Sequence, residues 1–167
     1  MKKIVRWLLP AVVLGAMGLL PFRGTDAAKL VPVRTVLVTR SGDQYEVDVG
    51  RAVRGIGRTL SEALAKLREQ ATGELFFPTA EQVIVVDPAG TDGETVRAVT
   101  EAPEFRPGAG LYRTTEPDLD AEAVGAYLSS HPCNTTIMEI RGALRSGDEP
   151  ELPVLREADG GYRVDAP

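Results

Sequence analysis

Apolar residues recur along this chain with two periods, and the points where the period changes divide it into elements. In GRTLSEALAKLREQATGELFFPTAEQVIVV, residues 57–86, Leu60, Ala63, Leu64, Leu67 and Ala71 fall on one helical face. Lys66, Arg68 and Glu69 lie off it. Thr59 and Glu62 have the spacing of a capping box, and Gly73 suits the left-handed position beyond a helix end. The spacing predicts a helix over residues 60–71. Gln82, Val83, Ile84, Val85 and Val86 then form a short β-branched run, the pattern of a strand buried on both faces. Asp87-Pro88 ends it, and a shorter apolar run, Leu75-Phe76-Phe77, is cut by Pro78.

Residues 29–49 read as a hairpin. Val31, Val33, Val36 and Val38 supply β-branched bulk, Ser41-Gly42-Asp43 is a turn cluster, and Tyr45, Val47 and Val49 alternate with Glu46 and Asp48. A short amphipathic piece covers residues 94–100 and a strand residues 111–115. A helix is predicted over residues 118–130, with Leu119, Ala123, Val124, Tyr127 and Leu128 as its stripe and His131-Pro132 as its stop. Thr136 and Glu139 form a second capping box, opening a helix with Ile137, Ile140, Ala143 and Leu144 inward and Gly147 at its end. Residues 148–167 read as a polar tail, with a last strand at 162–164. The helix stripes need a sheet to cover. The expected fold is therefore mixed α/β, of α+β character: a small, mostly antiparallel sheet with amphipathic helices packed on it. Its expected parts are a first αβ subdomain at 28–89 and a second at 90–167.

The first 27 residues stand outside that pattern. Lys2, Lys3 and Arg6 precede an uncharged apolar run from Leu8 to Phe22, and Thr25-Asp26-Ala27 offers small residues at a cleavage position. The run is about 15 residues, short of the roughly 20 that span a bilayer. A cleaved export signal is expected, with an uncleaved N-terminal anchor as the alternative. Either puts the rest of the chain on the outer side of the membrane. The net charge of −5 becomes more negative without this segment, which holds four basic residues and one acidic one. Such an acidic surface does not suit a phosphate backbone, so no nucleic-acid partner is expected. A single cysteine, Cys133, allows no internal disulfide.

Candidate chemistry is sparse. Gly55-x-Gly57 opens like a dinucleotide fingerprint, but Leu60 stands where its third glycine belongs, so a flexible turn is expected instead. His131-Pro132-Cys133 brings together the only imidazole and the only thiol. A zinc site needs three or four ligands, and a nucleophilic pair needs hydrogen-bond reach and a third group such as Asn134. A helix-end loop with a half-buried thiol is the expected reading. Glu116, Asp118, Asp120 and Glu122 cluster at a helix start, where carboxylates favour the positive end of the helix dipole. Asn134-Thr135-Thr136 matches a glycosylation sequon and is read as part of a helix cap. No catalytic, metal-ligating or cofactor-binding residue is assigned, and no cofactor is expected.

Three passages, in order, resemble one family. Gly57-Arg58-Thr59-Leu60-Ser61-Glu62-Ala63-Leu64 is similar to the Gly-Lys-Thr-Leu-x-Glu-Ala-Leu element of the C subunits of bacterial spore nutrient-germinant receptors. Leu75-Phe76-Phe77 followed by Val83-Ile84-Val85-Val86 resembles the strand that comes next there. Residues 135–144, then Gly147, Glu151, Leu152 and Pro153, resemble its Thr-x-x-Glu-Phe-x-x-x-Leu, Gly, x-Leu-Pro passage. Three features depart from the family, the first being that this chain reads as a short form, much shorter than a full C subunit. The leading apolar segment carries no lipobox cysteine, and Pro78-Thr79 replaces a Gly-His pair. The resemblance implies a non-enzymatic, outward-facing protein of the spore envelope that contacts membrane-embedded receptor subunits or other envelope proteins, with membrane association through the N-terminus. An extracytoplasmic small-ligand-binding domain is the second expectation. A thiol-dependent hydrolase built on His131 and Cys133 is the third.

Overall fold

The computed structural model describes residues 29–50, 53–89, 93–158 and 160–166. The expected leader at residues 1–27 lies outside the described residues. In chain order the strands and helices are β1 (Leu30–Pro32), β2 (Thr35–Ser41), β3 (Gln44–Asp48), β4 (Arg54–Gly57), α1 (Leu60–Gln70), β5 (Glu74–Phe76), β6 (Gln82–Val86), α2 (Gly93–Glu101), β7 (Gly110–Thr114), α3 (Ala121–Ser130), α4 (Ile137–Ser146), β8 (Val154–Ala158) and β9 (Gly161–Asp165). One sheet has the order β4-β3-β2-β6-β7-β8-β9, and β1 pairs with β5 in a separate parallel ribbon. The mixed α/β class is as expected.

The pairing is less antiparallel than the turn signals imply. β2, β6, β7 and β8 run parallel to their neighbours in that order, while the β2–β3–β4 and β8–β9 edges are antiparallel. Parallel neighbours need a crossover connection, and α1 and α2 supply two of them. The hairpins are where the sequence marks them. Ser41 pairs with Gln44 across a two-residue turn in which Gly42 has φ 59°. The β6–β7 register, from Gln82↔Gly110 to Val86↔Thr114, carries the sheet without a break across the expected subdomain boundary.

Strand β6 is buried at all five positions. Val83 and Val85 face a core with Leu64 and Leu67 of α1, Val99 of α2 and Ile137 of α4. Ile84 and Val86 face the other core, closed by Val124 and Leu128 of α3. Thr59 caps α1 by accepting the Glu62 N–H at 3.2 Å, while the Glu62 carboxylate turns to the Arg58 N–H at 2.9 Å rather than to Thr59. A hydrogen bond from Lys66, with that Arg58 N–H, holds the Glu62 carboxyl below its ordinary range. The second box is complete: Thr136 and Glu139 bond reciprocally, and Gly147 closes α4 at φ 84°.

Gly55 and Gly57 do not form a flexible turn. They are strand residues of β4, and α1 lies directly on them. A Cβ on Gly55 would stand 2.0 Å from the Ala63 carbonyl oxygen, and one on Gly57 would stand 2.5 Å from the Ala63 amide nitrogen. The glycines set the depth at which α1 seats, and that depth buries Leu60, Ala63, Leu64 and Leu67. A similar contact shifts the stripe of α3. Gly125 packs on β2, where a Cβ would meet Thr35 Oγ1 at 2.2 Å, and Ala123 is exposed instead of buried. Helix α3 also starts later than its apolar pattern suggests, at Ala121. Asp120 is the N-cap, accepting from Glu122 N at 2.9 Å and Ala123 N at 3.4 Å.

The tail at residues 148–167 folds more than its polarity suggests. Leu155 of β8 is fully buried, and Val164 and Tyr162 of β9 pack beside it. The other face of this hairpin carries Arg156, Arg163 and Asp165, joined by ion pairs of 3.2 Å and 2.8 Å.

Replacing Gly55 by alanine is expected to cost about 3 kcal/mol or more, because the clash is with helix backbone and overpacking of this kind reaches that range. Gly142→Ala, on the exposed side of α4 with nothing within 4 Å of the new Cβ, is expected to stabilise by about 0.5–1 kcal/mol. Urea unfolding of the two variants beside the parent chain measures both.

Candidate functional site

The carboxyl ends of parallel strands are where open α/β sheets bind ligands, because the crossover loops there leave a crevice. In this protein that end holds a groove of about 1010 Å³. Asp87 follows β6 directly, is buried, and donates its N–H to the Thr114 carbonyl at the end of β7 at 2.8 Å. The start of α2 forms one wall with Glu94 and Arg97, and Arg113 of β7 also lines the groove. The opposite wall is the segment after α4. Gly147 reverses the chain there, and Asp148, Glu149 and Glu151 follow.

The groove lining mixes apolar and charged side chains. Val96 and Leu152 are buried, Leu144 and Val154 are half-buried, and all four line it. The charged lining residues are five carboxylates, Asp87, Glu94, Asp148, Glu149 and Glu151, against Arg97 and Arg113. Glu94 pairs with Arg40 of β2, whose guanidinium also lies 5.6 Å above the Tyr45 ring. Asp148, Glu149 and Glu151 are exposed and make no ion pair among the described residues. Three like charges within four positions raise the negative potential along that wall.

A second, smaller cleft of about 230 Å³ opens where the β1–β5 ribbon meets α1. Val31, Val49, Val53, Ala71 and Leu75 line it. Thr72 is the one polar residue among its described lining side chains.

The His131–Cys133 segment is arranged differently from a nucleophile–base pair. The His131 ring stacks on Tyr127 with centroids 4.3 Å apart. Its Nδ1 is 3.0 Å from the Tyr127 carbonyl oxygen and 3.1 Å from Ser130 Oγ. A carbonyl oxygen only accepts, so Nδ1 carries the proton in that bond. Cys133 turns the other way. Its backbone N–H donates to Tyr112 Oη at 3.1 Å, and its thiol faces the Thr135 carbonyl at 3.7 Å. Burial, reinforced by the neighbouring Cys133 side chain, pushes the Tyr112 hydroxyl well above its ordinary range. Tyr112 is fully buried under α3, so this contact ties the loop after α3 to the sheet. Among the described residues no cluster of three His, Cys, Asp or Glu side chains is placed to hold a metal ion.

The remaining sequence candidates act as caps. Asp120 is the N-cap of α3 and Thr136, in the sequon, is the N-cap of α4. The groove itself carries no signature in the sequence. Its lining comes from four separated segments, and the one local cue is an acidic residue, Asp87, directly after the most apolar strand. No helix among the described residues is long and apolar enough to cross a membrane. A scan against protein-family models, a search of curated proteins and a search of solved structures each found no match.

Tyr112→Phe tests the contact beneath α3. Removing the hydroxyl leaves the Cys133 N–H without its acceptor, and a loss of about 1–3 kcal/mol is expected at neutral pH. The pH dependence has a definite sign. The unfolded chain releases the tyrosine proton near pH ~10 while the folded chain holds it, so stability falls as pH rises past about 10. In the phenylalanine variant that alkaline decline is expected to be shallower. Denaturant midpoints from pH 7 to 11 measure both effects.

Proposed function

We propose that this protein is a non-enzymatic interaction component, exported to the outer face of the membrane and related to the C subunits of spore germinant receptors. The observation that carries the reading is what the resembling residues do. Gly57 seats α1 on β4, Thr59 and Glu62 cap it, and Leu60, Ala63 and Leu64 are buried beneath it. Phe77 and Val83 to Val86 are core, and Thr136, Glu139 and Gly147 cap α4. The shared passages thus build a scaffold, and what the scaffold displays is surface. The separate engagement of His131 and Cys133 supports the same reading over a thiol hydrolase, because neither side chain is aimed at the other. With no lipobox cysteine in the leading segment, the uncleaved-anchor alternative is the form of this reading that attaches the chain through its N-terminus.

A second reading, an extracytoplasmic small-ligand-binding domain, draws on the position of the groove at the strand carboxyl ends. The even mixture of charged and apolar lining favours it less than an enclosed apolar pocket would.

Affinity purification of the tagged full chain from detergent-extracted membranes of cells that make it separates the two. Receptor A and B subunits are expected to co-purify in amounts comparable to the tagged chain. Recovery of the chain without either subunit, or only in the soluble fraction, would overturn the proposal.

A further inference from the structure

We infer that the groove between α2 and the 147–152 segment docks an extended, basic segment of a partner protein, with apolar side chains between the cations. The inference rests on the interaction reading above and names the chemistry of the contact.

Three observations on the groove point the same way. The interior offers Val96, Leu144, Leu152 and Val154, so apolar side chains have somewhere to be buried. One wall carries Asp148, Glu149 and Glu151, which make no ion pair among the described residues, whereas Arg54 is matched by Glu46 and Asp48 on the other side of the sheet. Of the five lining carboxylates Glu94 is already paired with Arg40, so the negative charge that is left concentrates on the 148–151 wall. A cationic partner relieves the repulsion along that wall, and charge complementarity of this kind steers encounter and fixes register. The apolar interior then supplies residence, since burial is what charge pairs at a solvated rim contribute least. Size favours a peptide over a small amine. About 1010 Å³ lies at the upper end of small-molecule sites, which enclose most of their ligand. An extended chain with alternate side chains inward fills a volume of this size with both its apolar and its cationic groups in contact.

The test uses the full chain and a fluorescent decapeptide of alternating Lys and Leu. Micromolar binding is expected, weakening about tenfold when Asp148→Asn, Glu149→Gln and Glu151→Gln are combined. These residues are exposed on a surface segment, so the variant keeps the fold, which circular dichroism checks. A charge-matched variant elsewhere, Asp43→Asn with Glu69→Gln and Glu74→Gln, is expected to change affinity less than about twofold, because screening at ordinary salt confines the effect to nearby charges. Peptide-dependent protection from hydrogen exchange is expected over residues 144–154. No binding, equal weakening in the two variants, or equally tight binding of cadaverine with displacement of the peptide would each overturn the inference. The two proposals fail separately. Receptor subunits that co-purify equally with the groove variant sink the groove and leave the interaction reading standing. Selective peptide binding by a chain that recovers no receptor subunit does the reverse.

Discussion

Strand β6 leaves no polar backbone group for water and no side chain for the surface. Its edges pair with β2 and β7, and its five residues are buried. A strand in that position must be covered on both faces, and the two cores are the consequence. One is closed by α1, α2 and α4, the other, among the described helices, by α3. Parallel pairing on both sides also brings three neighbouring strand ends to one edge, and the loops that leave them separate around a crevice. The groove is thus a by-product of the same constraint that fixes the core.

The two cores are built to different standards of closeness. On the first, α1 rests on bare backbone because Gly55 and Gly57 lack side chains, and Arg68 reaches over the Phe77 ring at 5.0 Å to close the far side. Phe77 in turn meets Phe105 edge-on at 6.2 Å, linking the 3-10 turn before β6 to the loop after α2. On the second, a single helix covers the middle of the sheet. Gly125 lets it settle on Thr35, while Tyr127 stacks on His131 and lies tilted against Tyr162 at its end. Imidazole and thiol are absorbed into the closure of that helix, which is why the one cluster of soft side chains reads as structure.

Electrostatics are distributed with the same asymmetry. Around β3 and β4, acids and bases answer one another through Arg54, Glu46 and Asp48, and the β8–β9 hairpin does likewise through Arg156, Arg163 and Asp165. Along the wall after α4 acids accumulate beside apolar surface, and at the start of α3 Asp118, Asp120 and Glu122 cluster as well. A solvated acidic face needs no explanation by itself, since the whole chain is acidic. The combination with a half-buried Leu144 and Val154 sets this stretch apart.

Local chemistry was legible in the sequence. The 3.6-residue stripe and threonine cap of α1, the reciprocal box and terminal glycine of α4, the Gly42 turn and the doubly buried run at β6 are all decided within a few residues of chain. For the same reason the mixed α/β class could be read directly. What needed the folded chain was everything set by distant partners. The parallel order of β2, β6, β7 and β8 depends on which edges meet. The role of Gly55 and Gly57 depends on the backbone of Ala63 arriving above them. Strand β8, with Arg156 and Glu157 beside Leu155, reads as polar until β7 and β9 pair with it. The groove draws on segments scattered from Asp87 to Ala166, and no local pattern records residues that share only a space.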